Sequence, residues 1–175
     1  MFLDKLNQVN TFIFDVDGVL TDGSVLVTEK GEQLRQFNIK DGYALQLAVK
    51  RGYCVIIISG AHSDGVELRL LSLGIKEIFL GVNTKVDVYK QLQKTHQLSA
   101  ENIIYMGDDL PDLPVMTMVG LPVCPADAVE EIKAISCYIS PKAGGKGCAR
   151  DIIEKVLKIQ QKWYDPAPSA SDGVL

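Results

Sequence analysis

Apolar residues in this chain gather in short uninterrupted runs. Three stand out: "TFIF" at 11–14, "YCVIII" at 53–58 and "NIIYM" at 102–106. Each is rich in β-branched or aromatic residues and gives way to glycine or polar residues, the pattern of a parallel strand buried on both faces. Shorter runs, "EIFL" at 77–80, "LPVC" at 121–124 and "CYI" at 137–139, read as further strands. Between them the spacing becomes helical. "DGYALQLAVKRG" offers a start at Asp41 and a stop at Gly52; "SDGVELRLLSLG" has Ser63 as cap, leucines at 68, 71 and 73, and a stop at Gly74. Helices also fit 84–97, 112–119, 126–134 and 147–163. Strands alternating with helices predict an α/β fold, a Rossmann-like parallel sheet flanked by helices.

One segment breaks the rhythm. "GSVLVTEKGEQLRQFN", residues 23–38, places two extended stretches around "EKG", which predicts a β-hairpin. The tail from 164 to 175, "YDPAPSASDGVL", is rich in Pro, Ser and Ala and is expected to be flexible, leaving a single domain over 1–163.

Composition narrows the function classes. The 175 residues are 47% apolar and 23% charged, as in a globular protein with one full core. A net charge of −4 and a pI near 5.2 argue against nucleic-acid or acidic-membrane partners. No apolar run approaches the roughly 20 residues of a membrane span, and "MFLDKLNQVN" lacks the pattern of a signal peptide, so a cytoplasmic location is expected. Cys54, Cys124, Cys137 and Cys148 show neither CxxC nor zinc spacing, and Cys54 reads as a small buried hydrophobe.

The chemistry sits at the strand ends. The first strand runs into Asp15-Val16-Asp17-Gly18, the second into Ser59-Gly60 and the third into Gly107-Asp108-Asp109, while Lys85 opens the helix before the third. Residues i and i+2 of a strand point the same way, so Asp15 and Asp17 project together. That is costly unless a cation or a reaction needs them. In open parallel sheets, ligands bind beyond these strand ends. Acidic, oxygen-only clusters suit Mg²⁺, which takes a few carboxylates plus substrate phosphate; glycine-flanked turns and a lysine suit the phosphate itself. "DVDGVLTDG" is not an EF-hand loop, because Val19, Leu20 and Leu26 occupy positions where that loop needs an oxygen ligand, glycine and glutamate. The combination describes phosphoryl transfer.

"DVDGVLTDG", "ISG", Lys85 and "GDDLPD" together resemble the four motifs of the haloacid dehalogenase-like (HAD) phosphatases, over residues 11–160. Within that superfamily the chain is most similar to the 3-deoxy-D-manno-octulosonate 8-phosphate (KDO 8-phosphate) phosphatases. That likeness rests on "DVDGVLTDG", "NIKDGYAL", "YMGDDLPDLPVM" and "AGGKGCARDIIEKVL". The resemblance implies a Mg²⁺-dependent hydrolase of a sugar phosphate. Asp15 matches the nucleophile that forms an aspartyl-phosphate, and Asp17 the general acid and base whose backbone carbonyl also helps hold metal. Asp108 matches the remaining metal contact, with Asp109 and Asp112 supporting. Ser59, Gly60 and Lys85 match the phosphate grip. A nonulosonate (sialic-acid-type) 9-phosphate or another small sugar phosphate is the alternative substrate. A phospho-receiver signalling domain uses similar groups, but there the acid pair, the acceptor Asp, the hydroxyl and the Lys follow one another along the chain, unlike the order here.

Only the hairpin fills the gap between Gly18 and Asp41, and the stretch from Lys85 to Asp108 has room for one helix, so the fold is expected to be capless. The resemblance implies a homotetramer in which hairpins contribute to the interface and neighbouring chains complete an otherwise open site. Ala61 stands where the resembled family typically has arginine after the Ser/Thr-Gly pair. Ala61, His62, Arg69 and Lys146 are therefore the candidate substrate-binding residues, and the "AGGKG" loop at 143–147 is read either as an anion site or as a plain turn before a helix.

Overall fold

The computed structural model describes residues 2–164. Six parallel strands form the central sheet: β1 (Thr11–Phe14), β4 (Cys54–Ile58), β5 (Glu77–Phe79), β6 (Ile103–Met106), β7 (Leu121–Cys124) and β8 (Tyr138–Ile139), in the order β5-β4-β1-β6-β7-β8. All three long apolar runs of the sequence become strands, and they are the three central ones. Phe14 pairs with Ile57 on one side and Met106 on the other, so the three strand ends finish level.

Continuous apolar runs are needed here because each central strand is covered on both faces. Phe12, Phe14, Val55, Ile57, Ile104 and Met106 face one core layer, packed by helices α2 (Ile39–Lys50), α3 (Asp64–Ser72) and α7 (Cys148–Ile159). Ile13, Ile56, Ile58, Ile103 and Tyr105 face the other, against α4 (Lys85–His96), α5 (Leu113–Met116) and α6 (Glu130–Ile135). A short α1 (Phe2–Lys5), absent from the sequence expectation, precedes β1. The 23–38 segment forms a separate antiparallel ribbon of β2 (Leu26–Val27) and β3 (Gln33–Leu34), turning at Gly31, and among the described residues no cap domain lies beside it. Its apolar side chains face outward: Leu26, Val27 and Leu34 are 68%, 61% and 49% exposed. Of the tail expected at 164–175, residues 165–175 lie outside the described residues.

Several boundaries differ from expectation. α2 begins before Asp41, because the Asn38 side chain accepts hydrogen bonds from the Lys40 and Asp41 amides and caps the helix there. Asp41 instead reaches across to α7, where its carboxylate accepts from Gly147 N and Arg150 N at 3.1 and 2.7 Å. Ser63 does cap α3, but the buried stripe is Val66, Leu70 and Leu73; Leu68 and Leu71 are exposed. The helix expected over 112–119 is only four residues long, α5, because the chain first makes a 3-10 turn at Leu110–Asp112 with prolines at 111 and 114.

Candidate active site

The ends of β1, β4 and β6 open into a cavity of about 720 Å³ lined by Asp15, Asp17, Ser59, Lys85, Asp108 and Asp112, among others. β1 is the switch point of the sheet, since the chain proceeds to β4 on one side and only later to β6 on the other. Asp15 leaves the sheet in register: its N–H donates to the Met106 carbonyl at 3.1 Å, and its Oδ1 accepts from Val16 N at 2.7 Å. The turn that follows requires glycine at 18. Its φ of +82° is left-handed, and a Cβ there would overlap the Asp108 carboxylate.

Lys85, on the first turn of α4, is buried between two carboxylates. Its Nζ lies 3.1 Å from Asp15 Oδ2 and 2.7 Å from Asp112 Oδ1. Asp112 is the hub of this arrangement: Oδ1 also accepts from the Tyr105 hydroxyl at 2.7 Å, and Oδ2 accepts from Asp108 N at 3.1 Å. Gly107 gives Asp112 its room, because a Cβ at 107 would overlap the Asp112 Cβ and Cγ. Burial, reinforced by the Asp112 carboxylate and opposed by Lys85, pushes the Asp15 carboxyl up to about 6. Burial and the carboxylates of Asp15, Asp112 and Asp109 push Asp108 up to about 7. For Lys85 burial acts to lower the pKa, but Asp15 and Asp112 outweigh it and hold the proton above its ordinary value. Burial, with Asp112 next, raises the Tyr105 phenol well above its usual range, so it serves as a donor.

Carboxylate oxygens of Asp15, Asp108 and Asp112 lie within 4.8 Å of one another. Three acids around one ammonium leave the cluster short of positive charge, and an all-oxygen donor set of this kind fits a hard divalent cation. The Asp17 side chain stands apart from that group. Both its oxygens are engaged by Arg35 of the hairpin segment, at 2.7 and 3.0 Å. Asp109 accepts from Leu110 N and caps the turn that delivers Asp112.

Across the cavity, Ser59 is buried, receives the Ala61 amide on its Oγ at 3.2 Å, and lines the wall together with Gly60 and Ala61. The remaining candidates fall elsewhere. His62 faces a separate hollow beside Gly81, and Arg69 packs against Gly42 of α2. Lys146 is 62% exposed and lies 3.7 Å from Asp22. Four of the five amides of the 143–147 loop are engaged within the protein: Gly144 N donates to Asp127, Gly145 N to the Val19 carbonyl, Lys146 N to the Ala143 carbonyl and Gly147 N to Asp41. It buttresses the first-motif turn from behind.

Sequence reasoning missed two members, Arg35 and Tyr105. A phenol inside an apolar strand was the available signal for Tyr105, because a buried hydroxyl needs a partner. No spacing rule points from Arg35 to Asp17, 18 positions away.

A model of the haloacid dehalogenase-like hydrolases matches residues 72–152. The 3-deoxy-D-manno-octulosonate 8-phosphate phosphatase of Salmonella typhi is 37% identical over 160 residues, 91% of this chain and 85% of that protein. The enzyme of that name from Escherichia coli K12 is 37% identical over 158 residues, covering 90% and 84%. Among solved structures, the Yersinia pestis enzyme superposes with a TM-score of 0.90 at 34% identity, covering 93% of this chain and 88% of that one. The Moraxella catarrhalis enzyme, solved with magnesium, phosphate and KDO, gives 0.89 at 33% identity, covering 93% of each. With these motifs on one sheet edge and relatives matched over nearly their whole length, the chain belongs to the 3-deoxy-D-manno-octulosonate 8-phosphate phosphatase family of the HAD-like hydrolases.

Proposed function

We propose that this protein is a Mg²⁺-dependent phosphatase that hydrolyses KDO 8-phosphate to KDO and phosphate. The observation that carries the function is the Asp15–Lys85–Asp112 ion cluster, with Asp108 beside it, at the mouth of the three central strands. The Moraxella catarrhalis relative's complex with magnesium, phosphate and KDO supports the choice of cation and sugar.

Asp15 is the nucleophile: one oxygen is held toward Lys85, and the strand end fixes its carboxylate rigidly. Its attack on phosphorus breaks the ester bond and leaves an aspartyl-phosphate. Asp17 gives its proton to the departing sugar oxygen, then takes one from the water that releases phosphate. Ser59, the Gly60 amide and Lys85 hold the phosphoryl oxygens as charge shifts onto them. Asp15, Asp108 and the Asp17 carbonyl would hold Mg²⁺, with Asp109 and Asp112 supporting. When bound, Mg²⁺ supplies the charge that lets an anionic nucleophile approach an anionic phosphate.

A nonulosonate 9-phosphate or another small sugar phosphate is the second substrate reading, kept because Ala61 lines the cavity without a charge that would select KDO 8-phosphate among them. The outward-facing Val25, Leu26, Val27 and Leu34 of the hairpin, with Ile39 79% exposed, support a homotetramer whose neighbouring chains cover the site.

A Mg²⁺-dependent phosphate-release screen over eight- and nine-carbon keto-acid phosphates and simpler sugar phosphates tests the function. KDO 8-phosphate should give the highest kcat/KM, chelator should abolish turnover, and Lys85→Ala should lower it by about 10²–10³-fold. Full activity in EDTA, or no phosphate release from any ester, would refute the assignment. Light scattering at micromolar concentration checks the assembly, and a monomer there would refute the tetramer.

A further inference from the structure

The catalytic carboxylates differ in what holds them. The Asp15 carboxylate is fixed by the strand end, the Val16 amide and Lys85, and the Asp108 main chain is tied through its amide to Asp112, all parts of the sheet and its first turns. Asp17 has no such anchor. Among the described residues its side chain is bonded by Arg35 alone, one residue beyond β3.

The contact is a parallel fork. Arg35 Nε donates to Asp17 Oδ1 at 2.7 Å and Nη2 to Oδ2 at 3.0 Å, while Nη1 donates to the Gln33 carbonyl at 3.2 Å. The Arg35 side chain is 5% exposed and that of Asp17 35%, so the guanidinium is covered while the carboxylate faces the cavity. A planar fork fixes the plane of a carboxylate, which an ammonium cannot do. It also ties Asp17 to the hairpin. That ribbon has two-residue strands and outward apolar side chains, so its position depends on what covers it.

We propose that Arg35 is a positioning residue that aims the Asp17 carboxyl at the leaving-group oxygen and links that aim to the docking of the hairpin. This rests on the phosphatase function proposed above. In the first step, an Asp15 oxygen bonds to phosphorus, the bond from phosphorus to the sugar oxygen breaks, and that oxygen takes the Asp17 proton. In the second, a water oxygen bonds to phosphorus, the Asp15–phosphorus bond breaks, and Asp17 recovers a proton from the water. Both Asp17 oxygens accept from Arg35 in the structure, so one of the two bonds opens for that oxygen to handle the proton while the other keeps the carboxyl aimed.

An alkyl ester such as a sugar phosphate needs that proton; p-nitrophenyl phosphate departs as a stabilised phenolate and hardly needs it. The Mg²⁺-loaded wild type, Arg35→Ala and Arg35→Lys should therefore be compared by kcat/KM on KDO 8-phosphate, glycerol 2-phosphate and p-nitrophenyl phosphate. Arg35→Ala should lose about 10- to 100-fold on the two alkyl esters, a share of the general-acid contribution, and less than about fivefold on the aryl ester. Arg35→Lys should recover little of the loss, and added methylguanidinium should restore part of it to Arg35→Ala. Should Arg35→Ala fail to fold, Arg35→Lys, which fills most of the same space, carries the same comparison. Equal losses on alkyl and aryl esters, or no loss on either, would overturn the positioning role while leaving the phosphatase assignment intact. A wild type inactive on all three esters would overturn the assignment itself.

Discussion

Asp15→Asn should make the metal-free protein more stable while abolishing turnover. Asp15 is 8% exposed, and burial with Asp112 nearby pushes its carboxyl from 3.8 up to about 6. At about 1.36 kcal/mol per pKa unit, holding this group ionised in the fold costs about 3 kcal/mol relative to the unfolded chain. Because the folded-state pKa is raised, the group's favourable contribution is complete below pH 3.8. It is lost as pH rises through about 6. At pH 8 the native protein therefore carries the whole cost. At pH 5, below the folded value of about 6, protonation of folded Asp15 relieves part of it, by the same linkage relation. The asparagine still accepts from Val16 N but presents an amide to Lys85, which offsets part of the gain. Stabilisation of about 1–3 kcal/mol at pH 8 is expected, or very roughly 2–12 °C in Tm for a domain of this size. Thermal unfolding in EDTA at pH 5 and pH 8 measures it, and the gain should shrink at the lower pH. Mg²⁺ should stabilise the wild type more than the variant, because metal binding meets the same charge deficit. A variant less stable than wild type at pH 8, or a gain independent of pH, would refute this account of the site's charge.

Gly107→Ala should destabilise the fold by about 1–3 kcal/mol, the usual cost of overpacking, and should depress kcat with it; the added methyl overlaps Asp112, which holds Lys85 and the Asp108 amide. Denaturant unfolding and initial rates on one preparation would show the two losses together, and a fully active Gly107→Ala would refute the hub role of Asp112. Ala61→Arg should raise kcat/KM for KDO 8-phosphate by about 10- to 150-fold, which corresponds to a charge-assisted contact of roughly 1.5–3 kcal/mol. Esters lacking a carboxylate should change little, and an equal change across all esters would show that position 61 does not read that group.

Much of the fold was legible because its demands are local. A strand covered on both faces must be apolar at nearly every position, and "TFIF", "CVIII" and "IIYM", Thr11 apart, satisfy that without reference to anything distant. Helix starts were harder. Asp41 has the look of a cap before an apolar stretch, yet its carboxylate serves α7, more than a hundred residues away, while Asn38 does the capping. Spacing cannot report such a contact. The same limit separates Ala61 from its neighbours: adjacency to Ser59-Gly60 suggested His62 as a cavity residue and the charge missing at Ala61 suggested Arg69, but the chain turns away after Ala61 and α3 carries Arg69 to α2. The glycine loop at 143–147 had the composition of an anion site, and only tertiary structure shows four of its five amides already engaged.

The way the site is anchored suggests which parts can vary without loss of the chemistry. Lys85, Asp15, Asp112 and Tyr105 are bonded to one another inside the core, with the Asp108 amide on Asp112, and moving any of the four side chains leaves a buried charge or hydroxyl without its partner. Those residues are over-determined by the fold itself. Asp17 and Ala61 are not. One is aimed by an arginine on a two-residue ribbon, and the other is a short side chain on the cavity wall. Substitution on the hairpin or at position 61 leaves the buried ion cluster untouched, so under the proposed mechanism proton handling and substrate preference can change while Asp15, Lys85, Asp108 and Asp112 keep their geometry. A capless phosphatase built in this way takes its selectivity from the rim, and the rim includes whatever surface covers the hairpin.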